Sequence, residues 1–183
     1  TTFFIDEKID TGAIIAQKEC DIEPDETVGD LHDKLMKLGA ALVLETVRMI
    51  KKETPKTKEQ PSIETKSAPK LFSENCKINW NNDVAIVYNK IRGLNPFPAA
   101  WTEIQNGHEK ITAKIYNVSK ITENHSLAMG TILISKKEMK VAVKNGFICI
   151  SALKISGKKR MNTIDFLNGF NFEPNPRMLS PII

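Results

Sequence analysis

The chain has 183 residues, 41% hydrophobic and 26% charged, with 26 Lys/Arg against 22 Asp/Glu and a net charge of +4. That is the make-up of an ordinary globular protein with room for one large domain or two small modules, and its longest apolar runs are far too short to cross a bilayer. Three scattered cysteines (Cys20, Cys76 and Cys149), the lack of a C-x-x-C pair and three unclustered histidines argue against a zinc site or a disulfide framework.

The first stretch, TTFFIDEKIDTGAII, reads as two extended segments, Thr2 to Ile5 and Ala13 to Lys18, around an acidic turn that ends in Asp10-Thr11-Gly12. An Asp at a strand–turn junction caps the turn more commonly than it catalyses. It also stands where open α/β sheets gather ligands. Gly12 lets backbone or ligand approach closely.

After Pro24 a helix is expected from Thr27, as N-cap with Asp30 three residues on, to about Lys52. Val28, Leu31, Leu35, Leu38, Leu42 and Val47 share one broad face. Strand, turn, strand and helix are the closing portion of an α/β layer. Glu53 to Lys70 holds three prolines among charged and small polar residues and reads as a semi-extended linker. The expected division is therefore 1–52, linker 53–70, and 71–183.

Beyond it, DVAIVYNKIRG predicts a helix with Val84, Val87, Tyr88 and Ile91 on one face and Gly93 as its stop. Pro96 and Pro98 keep LNPFPAAW out of helix, Trp101 is expected to fill a barrel mouth, and Trp80 reads as core. The pattern then alternates. Asn106-Gly107 and Asn145-Gly146 mark tight turns among five or six short strands, and a helix over NTIDFLNGF, capped by Asn162 or Thr163, closes the chain. Such an arrangement suggests a small, OB-like barrel with flanking helices.

Charge divides along the same boundary. Residues 1–52 hold 7 Lys/Arg and 11 Asp/Glu, a net −4, whereas residues 53–183 hold 19 and 11, a net +8. Cationic charge on a small barrel suits a phosphate backbone, because neutralising phosphates releases counterions. For any single lysine a solvated surface is the commoner explanation. SGKKRMN concentrates Lys158, Lys159 and Arg160 at one turn. His32, His108 and His125 lie in no motif and read as surface residues.

TTFFIDEKIDTGAII resembles the active-site signature of folate-dependent formyltransferases. KINW, KIRGLNPFPAAWTEI and GKKRMNTIDFLNG resemble the carboxy-terminal domain of the methionyl-tRNA formyltransferases, in the same order and with a linker in the expected place. The resemblance implies that residues 1–52 are the tail of a Rossmann-like catalytic domain whose catalytic Asn and His lie upstream of Thr1. It implies that Asp10 completes a catalytic trio and that the turn formed by Asp6, Glu7, Lys8, Ile9 and Asp10, with Gly12, contacts the pterin ring of 10-formyltetrahydrofolate, the formyl donor. It further implies that the linker and barrel grip initiator methionyl-tRNA, with Lys70, Lys77, Arg92, Lys114, Lys158, Lys159 and Arg160 as candidate contacts. No metal and no membrane enter this picture, the location is cytoplasmic, and residues 1–183 alone are expected to be inactive. Strand edges orphaned by truncation would invite association with another chain. A sugar-nucleotide formyltransferase and a non-catalytic RNA-binding barrel stay open as alternatives.

Overall fold

The computed structural model describes residues 1–61 and 68–181, so the middle of the expected linker lies outside the described residues. The chain divides into two compact units, Thr1–Pro69 and Lys70–Ile183.

In the first unit, β1 (Thr2–Phe3) pairs antiparallel with β2 (Ile14–Ala16), and α1 spans Val28–Lys52. Helix α1 starts where the sequence indicates. The Asp30 amide donates to the Thr27 hydroxyl and the Thr27 amide donates to the Asp30 carboxylate, so a complete capping box satisfies two orphan donors. Lys51 and Lys52 sit at the negative end of the helix dipole. The ribbon docks through Leu42 and Thr46. Thr46 donates its hydroxyl proton to the Leu42 carbonyl at 2.8 Å and accepts one from Thr2 at 2.8 Å. Lys18 of the ribbon side pairs with Glu45. Of the rest of the anticipated apolar stripe, Val28, Leu31 and Leu38 are half-buried, whereas Leu35 is 48% and Val47 55% exposed. The reason is reach: a three-residue strand covers roughly 10 Å, whereas a 25-residue helix runs about 37 Å. Phe3, Phe4 and Ile5 are likewise exposed rather than buried.

Part of the stretch read as linker is structured. Lys58 exchanges both backbone hydrogen bonds with Ile14, at 2.8 and 2.9 Å, along the edge of β2.

The second unit is a strongly curved antiparallel sheet with helices. Its elements are α2 (Ser73–Cys76), α3 (Val84–Leu94), β3 (Ala100–Asn106), β4 (Glu109–Thr122), β5 (Ile132–Ile134), β6 (Met139–Val143), β7 (Gly146–Ile155), β8 (Met161–Asn162), α4 (Thr163–Gly169) and β9 (Arg177–Leu179). The strand order is β5-β6-β7-β4-β3-β9, with β8 on β7. The two edges almost meet: the Met178 amide donates to the Gly130 carbonyl at 2.8 Å, and Thr131 bridges Arg177. A nearly closed barrel removes most of the free edge that an open sheet would carry. Alternate residues point inward. Ala100, Thr102 and Ile104 of β3 face Ala113 and Ile115 of β4 in one core with Val87, Ile91, Val141, Ile148 and Leu153. Trp80 is wholly buried, and its indole N–H donates to the Thr102 hydroxyl at 2.9 Å, which satisfies its one polar atom.

Four local readings change. Gly93 lies inside α3, and the helix stops because Asn95 is held extended ahead of Pro96. Gly107 and His108 form the first hairpin turn, since Asn106 pairs with Glu109. Lys144 and Asn145 form the second, with Asn145 at φ +63°, because Val143 pairs with Gly146. Trp101 lies on the outer face of β3 and does not fill the barrel mouth, since its neighbours Ala100 and Thr102 take the inward positions. The short elements α2, β8 and β9 have no sequence expectation behind them.

Candidate functional site

The Asp6–Gly12 turn is fixed from within. The Asp6 carboxylate accepts the Lys8 amide at 2.9 Å and the Thr11 hydroxyl at 2.6 Å. Those two bonds, the hydroxyl first, hold the Asp6 carboxyl below its ordinary range. Asp6 is thus the brace of the turn. Glu7, Lys8, Ile9 and Asp10 are exposed around it. Asp10 takes the left-handed conformation at φ +58°, uncommon for a residue with a side chain and tolerated best by Asn and Asp. It lines none of the described cavities and stands free for an incoming group.

Gly12 is buried, and its role is set by backbone. A Cβ there would lie 1.5 Å from the Phe4 carbonyl oxygen, so only glycine lets the two strands cross this closely. The close approach foreseen at Gly12 is therefore that of Phe4. On the other side, the Gly12 carbonyl accepts the Gln60 side-chain amide at 2.8 Å.

The predicted cations of the second unit divide into a joined group and outliers. Trp101 of β3 is directly opposite Lys114 of β4, which is directly opposite Lys154 of β7. Opposed residues of an antiparallel pair share a face, so these three form a row across the outside of the barrel. Arg160 extends it: its guanidinium sits 4.4 Å from the Tyr116 ring centre and donates to Asn117 at 2.8 Å. Lys77 joins at the other end, 4.9 Å from the Trp101 ring centre. Its charge is already matched, because it pairs with Glu103 and thereby lowers the Glu103 carboxyl below its ordinary range. Lys114 donates to the Pro98 carbonyl at 2.9 Å. Lys158 and Lys159 are exposed on the turn before Arg160, and Lys70 is exposed with its ammonium 5.6 Å from the Phe72 ring centre. Arg92 lies apart on α3, where it donates to Asn89 at 2.8 Å.

An open groove of about 600 Å³ adjoins the row, lined by Leu71, Phe72, Phe97, Pro98, Trp101 and Lys114 among others. Phe97 is 83% exposed between its two prolines. Opposing Lys114 and Lys154 is unfavourable in itself, by about 0.2–1 kcal/mol for an exposed like-charged pair. A row of cations interleaved with the half-buried rings of Trp101 and Tyr116, beside the exposed Phe72 and Phe97, offers phosphates their charge and bases a stacking surface. Tyr116 was legible as part of this face, because the two-residue period of EKITAKIYNV puts Lys110, Thr112, Lys114 and Tyr116 on one side, whereas Lys154 joins it only through the pairing of β7 with β4. Gln60 carried no such signal.

Other reactive groups have structural employment. His125 sits against Phe147, donates through Nε2 to the Val143 and Gly146 carbonyls, and accepts the Leu127 amide at Nδ1. It is a loop staple, less exposed than its sequence context suggests. Burial pushes the Cys149 thiol up, away from nucleophile character. Among the described residues no three His, Cys, Asp or Glu side chains converge to hold a metal, and no helix is long and apolar enough to cross a membrane.

Residues 70–171 match the family model "Formyl transferase, C-terminal domain", and residues 1–47 match the model "Formyl transferase". The chain is 44% identical over 179 residues to the methionyl-tRNA formyltransferase of Flavobacterium johnsoniae, covering 97% of this chain and 57% of that protein. It is 44% identical over 184 residues to the methionyl-tRNA formyltransferase of Bacteroides thetaiotaomicron, with the same coverage. The chain thus spans a little over half the length of these relatives. Among solved structures, HypX from Aquifex aeolicus in complex with tetrahydrofolic acid matches with a TM-score of 0.65 at 14% identity, covering 90% of this chain and 29% of that one. The sugar 3N-formyl transferase WlaRD matches with a TM-score of 0.58 at 20% identity, covering 86% and 54%.

Proposed function

The chain belongs to the formyl transferase family, and from that premise we propose that it supplies part of the catalytic turn and the RNA grip of a methionyl-tRNA formyltransferase. The reaction moves a formyl group from 10-formyltetrahydrofolate to the amino group of methionine on initiator tRNA, in the cytoplasm. In this reading residues 1–52 are the end of a Rossmann-like domain, and residues 71–183 are an OB-like tRNA-binding barrel. The observation that carries the choice of acceptor is the Trp101–Lys114–Lys154 row with Arg160 beside it. A nucleic acid is the ligand that uses both its charges and its rings.

Asp10 fits proton traffic. It is exposed and presented by a turn that Asp6 braces through the Lys8 amide and the Thr11 hydroxyl. As the amine nitrogen bonds to the formyl carbon, Asp10 accepts the proton the nitrogen loses, and the bond from that carbon to N10 of the donor then breaks as N10 takes up a proton. The rest of the turn offers exposed backbone between Asp6 and Asp10 to the flat pterin ring of the donor. Hydrogen-bond donors for the developing oxyanion are the other requirement of acyl transfer. No Asn-x-His pair precedes Asp10 within residues 1–183, so residues 1–183 alone are inactive in this account. The short β1–β2 ribbon also leaves a strand edge open to pairing with another copy.

The test is acceptor choice. The protein at its natural full length is given labelled donor with either initiator methionyl-tRNA or a dTDP-linked amino sugar. Formylation of the tRNA alone is expected. Formylation of the sugar nucleotide alone would establish the sibling activity, and binding of tRNA with no transfer at all would establish a non-catalytic RNA binder.

A further inference from the structure

We propose that Gln60 is a positioning residue for the Asp10 turn, acting through the carbonyl of Gly12. The proposal rests on the catalytic reading of Asp10. Gln60 falls between the stretches matched by the two formyl transferase models, residues 1–47 and 70–171, in a region that composition marks as tether.

The geometry gives it a defined task. After α1 the chain turns extended at Glu53 and returns to the ribbon, where Lys58 and Ile14 exchange both backbone hydrogen bonds. Two residues later the half-buried Gln60 side chain reaches Gly12, and Nε2 donates to the Gly12 carbonyl at 2.8 Å. Only the amide nitrogen can serve there, since a carbonyl oxygen accepts and does not donate. Gly12 also packs against the Phe4 carbonyl, which stands where a Cβ would be, and the Phe4 amide donates to the next carbonyl, that of Ala13, at 3.0 Å. The peptide two residues after Asp10 is thus clamped between Phe4 and Gln60, while the Asp6–Thr11 bond fixes the turn just before it.

Asp10 lies within the span closed by the Asp6–Thr11 bond and two residues before Gly12, in a left-handed conformation that its own side chain disfavours. Removing one clamp lets the turn relax and moves the carboxylate away from the reacting nitrogen. Displacement by about 1 Å at a reacting group can cost on the order of a hundredfold in rate. A carboxylate at position 60 would do more harm than a gap, since it would face the Gly12 carbonyl with lone pairs against lone pairs.

The experiment uses the protein at its natural full length. Gln60→Glu keeps the shape and removes the donor, Gln60→Ala removes the side chain, and Gln60→Lys restores a donor of comparable reach. Expected for the first two is a fall in kcat of roughly 10- to 100-fold with the Kd for tRNA within about twofold of native. Amide exchange should quicken at Thr11–Ala13 and not along α1, and Gln60→Lys should recover most of the rate. If Gln60→Glu and Gln60→Ala both turn over within about twofold of native while Asp10→Asn abolishes transfer, the positioning role is wrong and the catalytic reading survives. If Asp10→Asn leaves transfer intact, both are wrong. Loss of exchange protection throughout α1 in both variants would make Gln60 a general structural strut and overturn the proposal.

Discussion

Replacing Lys114, Lys154 and Arg160 together with glutamine removes the charges of the barrel row and keeps side chains of similar length. Residues 70–183 carry 16 Lys/Arg and 8 Asp/Glu, so their net charge falls from +8 to +5 and stays cationic. If each of the three meets one phosphate, the slope of log K against log salt falls by about 2 on single-stranded RNA and by up to about 2.7 on duplex. Raising salt from about 50 to about 200 mM would then cost the native chain roughly 20- to 40-fold more affinity than the variant. The fold should tolerate the change, because all three side chains are exposed. Relief of the Lys114–Lys154 opposition offsets part of the lost Arg160–Tyr116 contact, each worth about 1 kcal/mol or less. Fluorescence anisotropy of labelled initiator tRNA with residues 1–183, over a salt series, reads the slope directly. A matched control changes Lys136, Lys137 and Lys144, which are exposed on the β5–β6 and β6–β7 turns. Equal slopes for native and row variant, or the same loss in the control, would show that no localised RNA face exists.

Other consequences concern the turn and the barrel seam. Gly12→Ala puts a methyl group against the Phe4 carbonyl, with backbone on both sides and no room to yield. It should cost more than about 3 kcal/mol and unpair β1 from β2, and ribbon amides as protected from exchange as in native would refute this. Gly130, at φ +83°, has the Met178 carbonyl 2.4 Å from where a Cβ would stand. Gly130→Ala should therefore destabilise the barrel by about 2–4 kcal/mol in urea titration, and an unshifted midpoint would contradict the role of Gly130 in closure. Asp6 is held below its ordinary value of 3.8, chiefly by Thr11. A lowered folded-state value favours the folded turn above the unfolded value and loses that support as pH falls through the folded one. Thr11→Val should raise the Asp6 value part of the way to 3.8, since the Lys8 amide remains. A carboxyl-carbon NMR titration identical to native would exclude Thr11 as the main cause.

Much of the architecture was legible because local signals and final contacts agree. The Thr27–Asp30 pair caps α1 as its spacing suggests, the face Val84, Val87, Tyr88, Ile91 is the one α3 buries, and both hairpins fall where Asn-Gly pairs stand, one residue out of register in each. The misreadings trace to long-range determinants. Trp101 looks like core by type, but strand phase sets it outside, beside Lys77. Gly93 looks like a stop, but Pro96 does the stopping from outside the helix. Strand β9 carries little pattern in three residues, and it exists because β3 and Gly130 offer it partners on both sides. At the candidate site the motif Asp10-x-Gly12 was visible and its support was not. Gly12 answers to Phe4, eight positions earlier, and to Gln60, 48 positions later, and neither separation leaves a period in the sequence. The cationic row was visible as charge excess and alternation, while its assembly from β3, β4, β7 and the β8 approach needed the sheet order.

The most direct measurement of the central claim is the single-turnover formylation rate of Asp10→Asn, in the protein at its natural full length, with both substrates saturating. The expected result is a loss on the order of a thousandfold, the scale of general base catalysis, with tRNA affinity unchanged. A rate within about threefold of native would contradict the assignment of proton transfer to this turn.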